Sequence, residues 1–152
     1  MNRNGELHFN PASLRLSEER AHAETFDVVV PYTGPEMTAK VVDRAAEFAT
    51  GLNATLTLVA VYVAPYPCDL SCPTAMREHL TARLTELAEL YDPPARVHLV
   101  VARSRDEGFR QVIQPGSTVL LGTRKHWWRT REERLARELA REGHRVSLLH
   151  FD

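Results

Sequence analysis

The residues best suited to chemistry lie in one short stretch, Gly122-Thr123-Arg124-Lys125-His126-Trp127-Trp128-Arg129-Thr130. Arg124, Lys125, Arg129 and the following Arg131 place four formal positive charges around two adjacent tryptophans. Guanidinium and ammonium groups bind phosphate, and an indole face stacks on a base or on arginine. The stretch leads into a helical pattern in which Thr130 and Glu133 have capping-box spacing. A helix N-terminus offers free N–H groups and a dipole that favours anions. This chemistry is that of an anion or nucleotide-phosphate site, with His126 as the one histidine placed to share in it. The opposing reading is a solvated loop whose tryptophans cover a sheet end or pack a dimer contact. A purely solvated loop has little use for adjacent tryptophans, so something is expected to cover them.

No other constellation competes. Cys68 and Cys72 lie four apart before a helix, and His79 follows seven later. A zinc site needs three or four ligands at tight spacing, which this is not. Two unpaired thiols or an adventitious disulfide are expected, with a redox role as the remaining alternative. The seven histidines are scattered. His98 and His150 fall within strand patterns as packed or edge residues. Asp27 and Asp43 are isolated acids, and Asp27 sits at the wrong end of its strand for the basic loop. No nucleophile elbow and no acid–base pair is present. No catalytic residue and no metal ligand is therefore assigned.

These residues must be carried by alternating strands and helices. Phe26–Pro31 is a short β-branched run, apolar on both faces as a central parallel strand is, and it ends at the turn Tyr32-Thr33-Gly34-Pro35. A helix follows to Leu52, with Met37, Val41, Ala45, Phe48 and Leu52 on one apolar face. Thr55–Val63 is a second strand. Pro73 and Thr74 open a second helix with Met76, Leu80, Leu84, Leu87 and Leu90 or Tyr91 on one face, stopped by Asp92-Pro93-Pro94. Arg96–Ala102 is a third strand. Ser104 and Glu107 form a capping box before a short helix carrying Phe109, Val112 and Ile113. Ser117–Leu121 is a fourth strand, expected to stop at Gly122. The helix after Thr130 carries Leu135 and Leu139 and ends at Gly143. Its crowded charges make exposed ion pairs. Arg145–Phe151 is a fifth strand.

This βαβαβαβαβ alternation predicts an α/β fold, a five-stranded mainly parallel sheet in the order 3-2-1-4-5 with helices on both faces. Ligands of such sheets bind beyond the carboxyl ends of the strands, where the strand order switches. Here that is between the first and fourth strands. The expected site therefore comprises Tyr32, Thr33, Gly34, Gly122, Thr123, Arg124, Lys125, His126, Arg129 and Thr130. The chain has 152 residues, the size of one domain, and a formal net charge of -1. Near-neutrality makes nucleic acid an improbable partner, since one basic loop is not a broad footprint. No apolar run reaches the roughly 20 residues of a membrane span, and the opening residues lack a signal-peptide core, so a cytoplasmic protein is expected. Residues 1–24 read as a polar arm and 25–152 as the domain.

From Phe26 to Phe151 the sequence resembles the universal stress protein family. Asp27–Gly34 looks like the family's opening strand and turn, Ala45–Pro65 like its first helix end and second strand, and Ser117–His126 like its fourth strand and the glycine after it. The resemblance implies the same 3-2-1-4-5, Rossmann-like sheet and a homodimer paired through strand 145–151. The family's ATP-binding members carry Gly-x2-Gly-x9-Gly-Ser/Thr after strand four. Only Gly122 matches. Lys125 and Leu135 stand at the other glycine positions, Ala136 at the hydroxyl position, and Thr33 where binders have an acid. The resemblance thus implies a non-catalytic member of the non-ATP-binding branch, acting in stress response or regulation without a cofactor. The alternative is a nucleotide or anion binder using the 122–131 loop, with weak ATP hydrolysis. An appended or partner protein is a third option.

Overall fold

Strands form where the sequence is continuously apolar and β-branched, because both sides of a central parallel strand are buried. The computed structural model describes residues 26–71, 75–125, 127 and 129–152. The polar arm, Cys72, His126 and Trp128 lie outside the described residues. Five strands, β1 (Asp27–Pro31), β2 (Thr55–Val63), β3 (Arg96–Ala102), β4 (Thr118–Arg124) and β5 (Arg145–Phe151), alternate with four helices, α1 (Pro35–Leu52), α2 (Ala75–Ala88), α3 (Arg105–Val112) and α4 (Arg131–Arg141). The sheet order is β3-β2-β1-β4-β5, and every pairing is parallel. The chain moves outward from β1 to β3, returns beside β1 as β4, and continues to β5. The switch therefore lies between β1 and β4.

Side chains alternate across the strands, and each face has its own core. On one face Val28, Val30, Leu56, Leu58 and Leu120 pack against Val41, Val42, Ala45 and Ala49 of α1 and Ala88 at the end of α2. On the other, Val29, Val59, Val119 and Leu121 meet Phe109 and Ile113 from the α3 segment and Leu135, Ala136 and Leu139 of α4. Each large side chain buried in this way contributes about 1.5–3 kcal/mol. No helix of the described residues is long and apolar enough to cross a membrane.

The structure corrects three sequence expectations. β4 does not stop at Gly122 but runs on to Arg124, because Gly122, Thr123 and Arg124 stay in register with Leu149, His150 and Phe151 of β5. The buried stripe of α1 is Thr38, Val41, Val42, Ala45 and Ala49, while Phe48 and Leu52 are about half exposed. Of the expected apolar face of α2 only Leu84 is buried, joined by Ala88, while Met76, and Leu90 beyond the helix end, are exposed. Both caps form as read: Ser104 Oγ accepts from Glu107 N–H, and Thr130 Oγ1 accepts from Glu133 N–H.

Beyond α2, the Tyr91 hydroxyl donates a 2.6 Å hydrogen bond to Asp43 Oδ1 on α1. Burial, then the hydrogen bond to Asp43 and its negative charge, hold this phenol well above the ordinary tyrosine value. A folded-state pKa raised above the unfolded one gives stability that is complete below about pH 10 and fades as pH rises beyond it. Absorbance at 295 nm should therefore show one of the four tyrosines failing to ionise with the others near pH 10–11. Tyr91→Phe should remove that laggard. Four tyrosines titrating together would contradict the contact.

Candidate functional site at the switch in strand order

The loops after β1 and β4 meet at the carboxyl end of the sheet. Gly34 introduces α1 with φ 156° and ψ 158°, a combination essentially confined to glycine. It places Pro35 in the first turn, where a missing N–H costs nothing. The Thr33 N–H, which would otherwise face an incoming ligand, donates to Thr38 Oγ1 at 3.1 Å, and Thr38 is fully buried. Tyr32 N–H is committed to the Val59 carbonyl. Two amides on the β1 side of the crevice, those of Tyr32 and Thr33, are therefore occupied.

Gly122 has a different reason to be glycine than access for a phosphate. A Cβ there would lie 2.5 Å from Val41 Cγ2 and 2.6 Å from Met37 Sδ. Both belong to α1, so the missing side chain lets the helix sit against β4. Thr123 is buried, and its hydroxyl lies 3.0 Å from that of Thr130. This links the end of β4 to the N-cap of α4, whose first free amides Thr130 then begins to satisfy.

Two of the four basic residues, Arg124 and Lys125, are paired with acids that sequence reading did not single out. Arg124 Nη2 pairs with Glu36 Oε2 at 3.4 Å, and Lys125 Nζ donates to Asp152 Oδ1. Glu132, in the first turn of α4, pairs at 3.4 Å with Arg105 at the start of α3, and both side chains are mostly buried. What could have revealed them was position: Glu36 and Glu132 sit in first helical turns, where acids complement the dipole and displace external anions. Arg129 is exposed and has no ion pair among the described residues. Trp127 is 91% exposed, so the expected cover over the tryptophans is not found at this one.

Of the expected site residues, Thr33, Gly122, Thr123, Arg124 and Thr130 line one cavity of about 200 Å³, together with Met37 and Glu132. Tyr32 lines a separate cavity beside α2, and Gly34, Lys125 and Arg129 line neither. His126 lies outside the described residues. The shared cavity is smaller than the roughly 300–1,000 Å³ of small-molecule sites. Replacing Glu132 with glutamine should cost about 1–2 kcal/mol in urea unfolding, between the values for exposed and buried pairs, because Arg105 loses its partner across α3 and α4. An unchanged midpoint would mean that the pair contributes nothing.

No family model matches the sequence, and no curated protein is significantly similar to it. Solved structures are. One, a universal stress protein from Archaeoglobus fulgidus, superposes with a TM-score of 0.61 at 12% identity, covering 88% of this chain and 98% of its own. The fold is that of the universal stress proteins. Two more agree. A universal stress protein in complex with cAMP gives a TM-score of 0.53 at 18% identity, covering 84% of this chain and 97% of that one. A universal stress family protein from Burkholderia pseudomallei gives 0.56 at 18% identity, covering 85% and 97%. Within this universal-stress fold the positions that depart from the ATP-binding pattern have other duties here. Leu135, at the third glycine position, is a fully buried core residue of α4. Lys125, at the second, pairs with Asp152 and donates its N–H to the Phe151 carbonyl.

Proposed function

We propose that this chain is a universal-stress-type regulatory domain. It acts in stress response through protein contacts, without hydrolysing a nucleotide. The observation that supports this most is the state of the switch-point crevice. Its glycine is taken up in helix packing, its cavity is about 200 Å³, and Glu132 lines it. A triphosphate would have to displace Glu36 and Glu132 and would find no run of glycine amides to approach. Thermal denaturation of the protein alone and with Mg·ATP tests this. The midpoint should not move at millimolar ligand, since a ligand that binds only the native state raises it by mass action. A rise that saturates with ATP would overturn the proposal.

Assembly as a homodimer through the outer edge of β5 completes the reading. β5 pairs with β4 on one side only, and its Val146, Leu148, Leu149 and Phe151 are half-buried. An apolar parallel edge left open invites another chain. Light scattering should give twice the mass of one chain. A monomer at micromolar concentration would refute the dimer.

One observation favours a second reading, a site for a single phosphate. Arg124 lines the crevice beside Thr33 and Thr130, and its pair with Glu36 is exposed. Such pairs are worth at most about 1 kcal/mol, so an incoming monoanion could take the guanidinium. A structural neighbour is a complex with cAMP. The same thermal series run with cAMP separates the readings: a saturable rise abolished by Arg124→Ala favours the second.

A further inference from the structure

The opposite end of the sheet holds a second cavity that none of the preceding chemistry uses. β2 has nine residues and spans about 30 Å, whereas α3 has eight and spans about 12 Å. α3 packs on β2 and β3, and α4 packs on β4 and β5. The amino-terminal part of β2 and its neighbours is therefore left without a helix over it on this face. The space is a cavity of about 300 Å³. Val29 and Val59 give it an apolar floor, and Asp27, Thr57 and His98 stand on the same sheet face around them.

Each polar side chain of its lining, Asp27, Thr57, His98, Gln111 and Gln114, can offer an acceptor atom, and Asp27 is the carboxylate among them. Asp27 Oδ1 takes the Thr57 hydroxyl at 2.7 Å, and this is the carboxylate's only side-chain partner among the described residues. One amide N–H of Gln111 is taken by Glu107 Oε1 at 3.2 Å, and its carbonyl oxygen can accept from a ligand. Residues 111–114, the carboxyl end of α3 and the turn after it, form one wall. A helix carboxyl end carries carbonyls without intrahelical partners and a partial negative charge. Among the described residues no lysine or arginine lines the cavity. Arg96, at the foot of β3, lines the cavity on the other face, and Arg110 pairs with Glu142.

From these groups we infer that the cavity is a binding site for a small organic cation, an amine or guanidinium with a short apolar body. The ammonium or guanidinium donates to Asp27 and to the Gln111 carbonyl, with the helix end adding its negative potential. The apolar part rests on Val29, Val59, Val112 and Ile113. A charge-assisted hydrogen bond to a carboxylate sets the selectivity. The inference is independent of whether the switch-point crevice binds anything.

Amide NMR spectra of the full chain, titrated with phenethylamine and with agmatine, test it. Saturable shifts should map to Asp27, Thr57, His98 and residues 111–114. The uncharged 2-phenylethanol should bind at least about tenfold more weakly, as should phenethylamine to Asp27→Asn, whose amide still accepts from Thr57. The neutral analogue needs no variant, so the comparison survives any failure of Asp27→Asn to fold. The site is overturned if neither cation gives saturable shifts at about 20 mM, or if the shifts map elsewhere. Equal binding of the neutral analogue, or of phenethylamine to folded Asp27→Asn, overturns the cation assignment.

Discussion

Gly122→Val should destabilise the protein by about 3 kcal/mol, and lower its thermal midpoint by about 10 °C, with no ligand in the experiment. The cause is overpacking. The first added carbon already overlaps Val41 Cγ2, a fully buried core atom, and Met37 Sδ. Methionine can swing aside, but Val41 is stiff at χ1 and held by the α1 core, so the helix itself must shift. Gly122→Ala should lie between wild type and valine. Paired urea and thermal unfolding of the two variants measures the series. This separates two explanations of one glycine. Were it kept only so that a phosphate can approach the backbone, the valine variant would unfold within about 0.5 kcal/mol of wild type.

Phe109→Ala should cost more, about 3–5 kcal/mol. Among the described residues Phe109 is the largest fully buried side chain, and it anchors the shortest helix to the sheet. α3 has only eight residues, too few to be stable by itself. Its existence depends on Phe109 and Ile113 reaching into the core with Val59, Leu121 and Leu135. Phe109→Leu, which keeps most of the volume, should cost under about 1.5 kcal/mol. Chemical denaturation of both variants tests the claim, and amide exchange should show the loss concentrated in residues 105–113. A change below about 1 kcal/mol for alanine would mean that the helix is held by something else.

The strands were legible because a buried parallel strand needs an unbroken apolar, β-branched run, and β2 and β3 have the limits read from sequence. Caps were legible because Ser104 and Thr130 act over three residues. What pattern does not encode is how far an element overlaps its neighbours. Gly122 reads locally as a stop, yet β4 continues because β5 is long enough to pair with it. The 3.6-residue stripe of α1 has two solutions, and packing on β4 selected the one containing both Val41 and Val42. Met76 of α2 and Leu90 just beyond its end follow helical spacing but remain exposed, since periodicity fixes a direction and not the extent of the sheet beneath it.

At the site, the loop pair and five of the seven lining residues followed from strand order alone. The electrostatics did not. Counting Arg124, Lys125, Arg129 and Arg131 gives an anion site, but Glu36 and Asp152 come from elsewhere in the chain to meet two of those charges, and Glu132 lines the crevice. The Asp27 cavity escaped for the complementary reason. Asp27, Thr57 and His98 are isolated in sequence and become neighbours only through strand register.

The central claim is that the switch-point crevice is closed to nucleotide phosphates by the protein's own residues. Amide NMR spectra of the full chain titrated with Mg·ATP to about 5 mM test it most directly. The account predicts no saturable shifts at Thr33, Gly34 or residues 122–134. Saturable shifts at these amides, with a dissociation constant below about 1 mM, would contradict it.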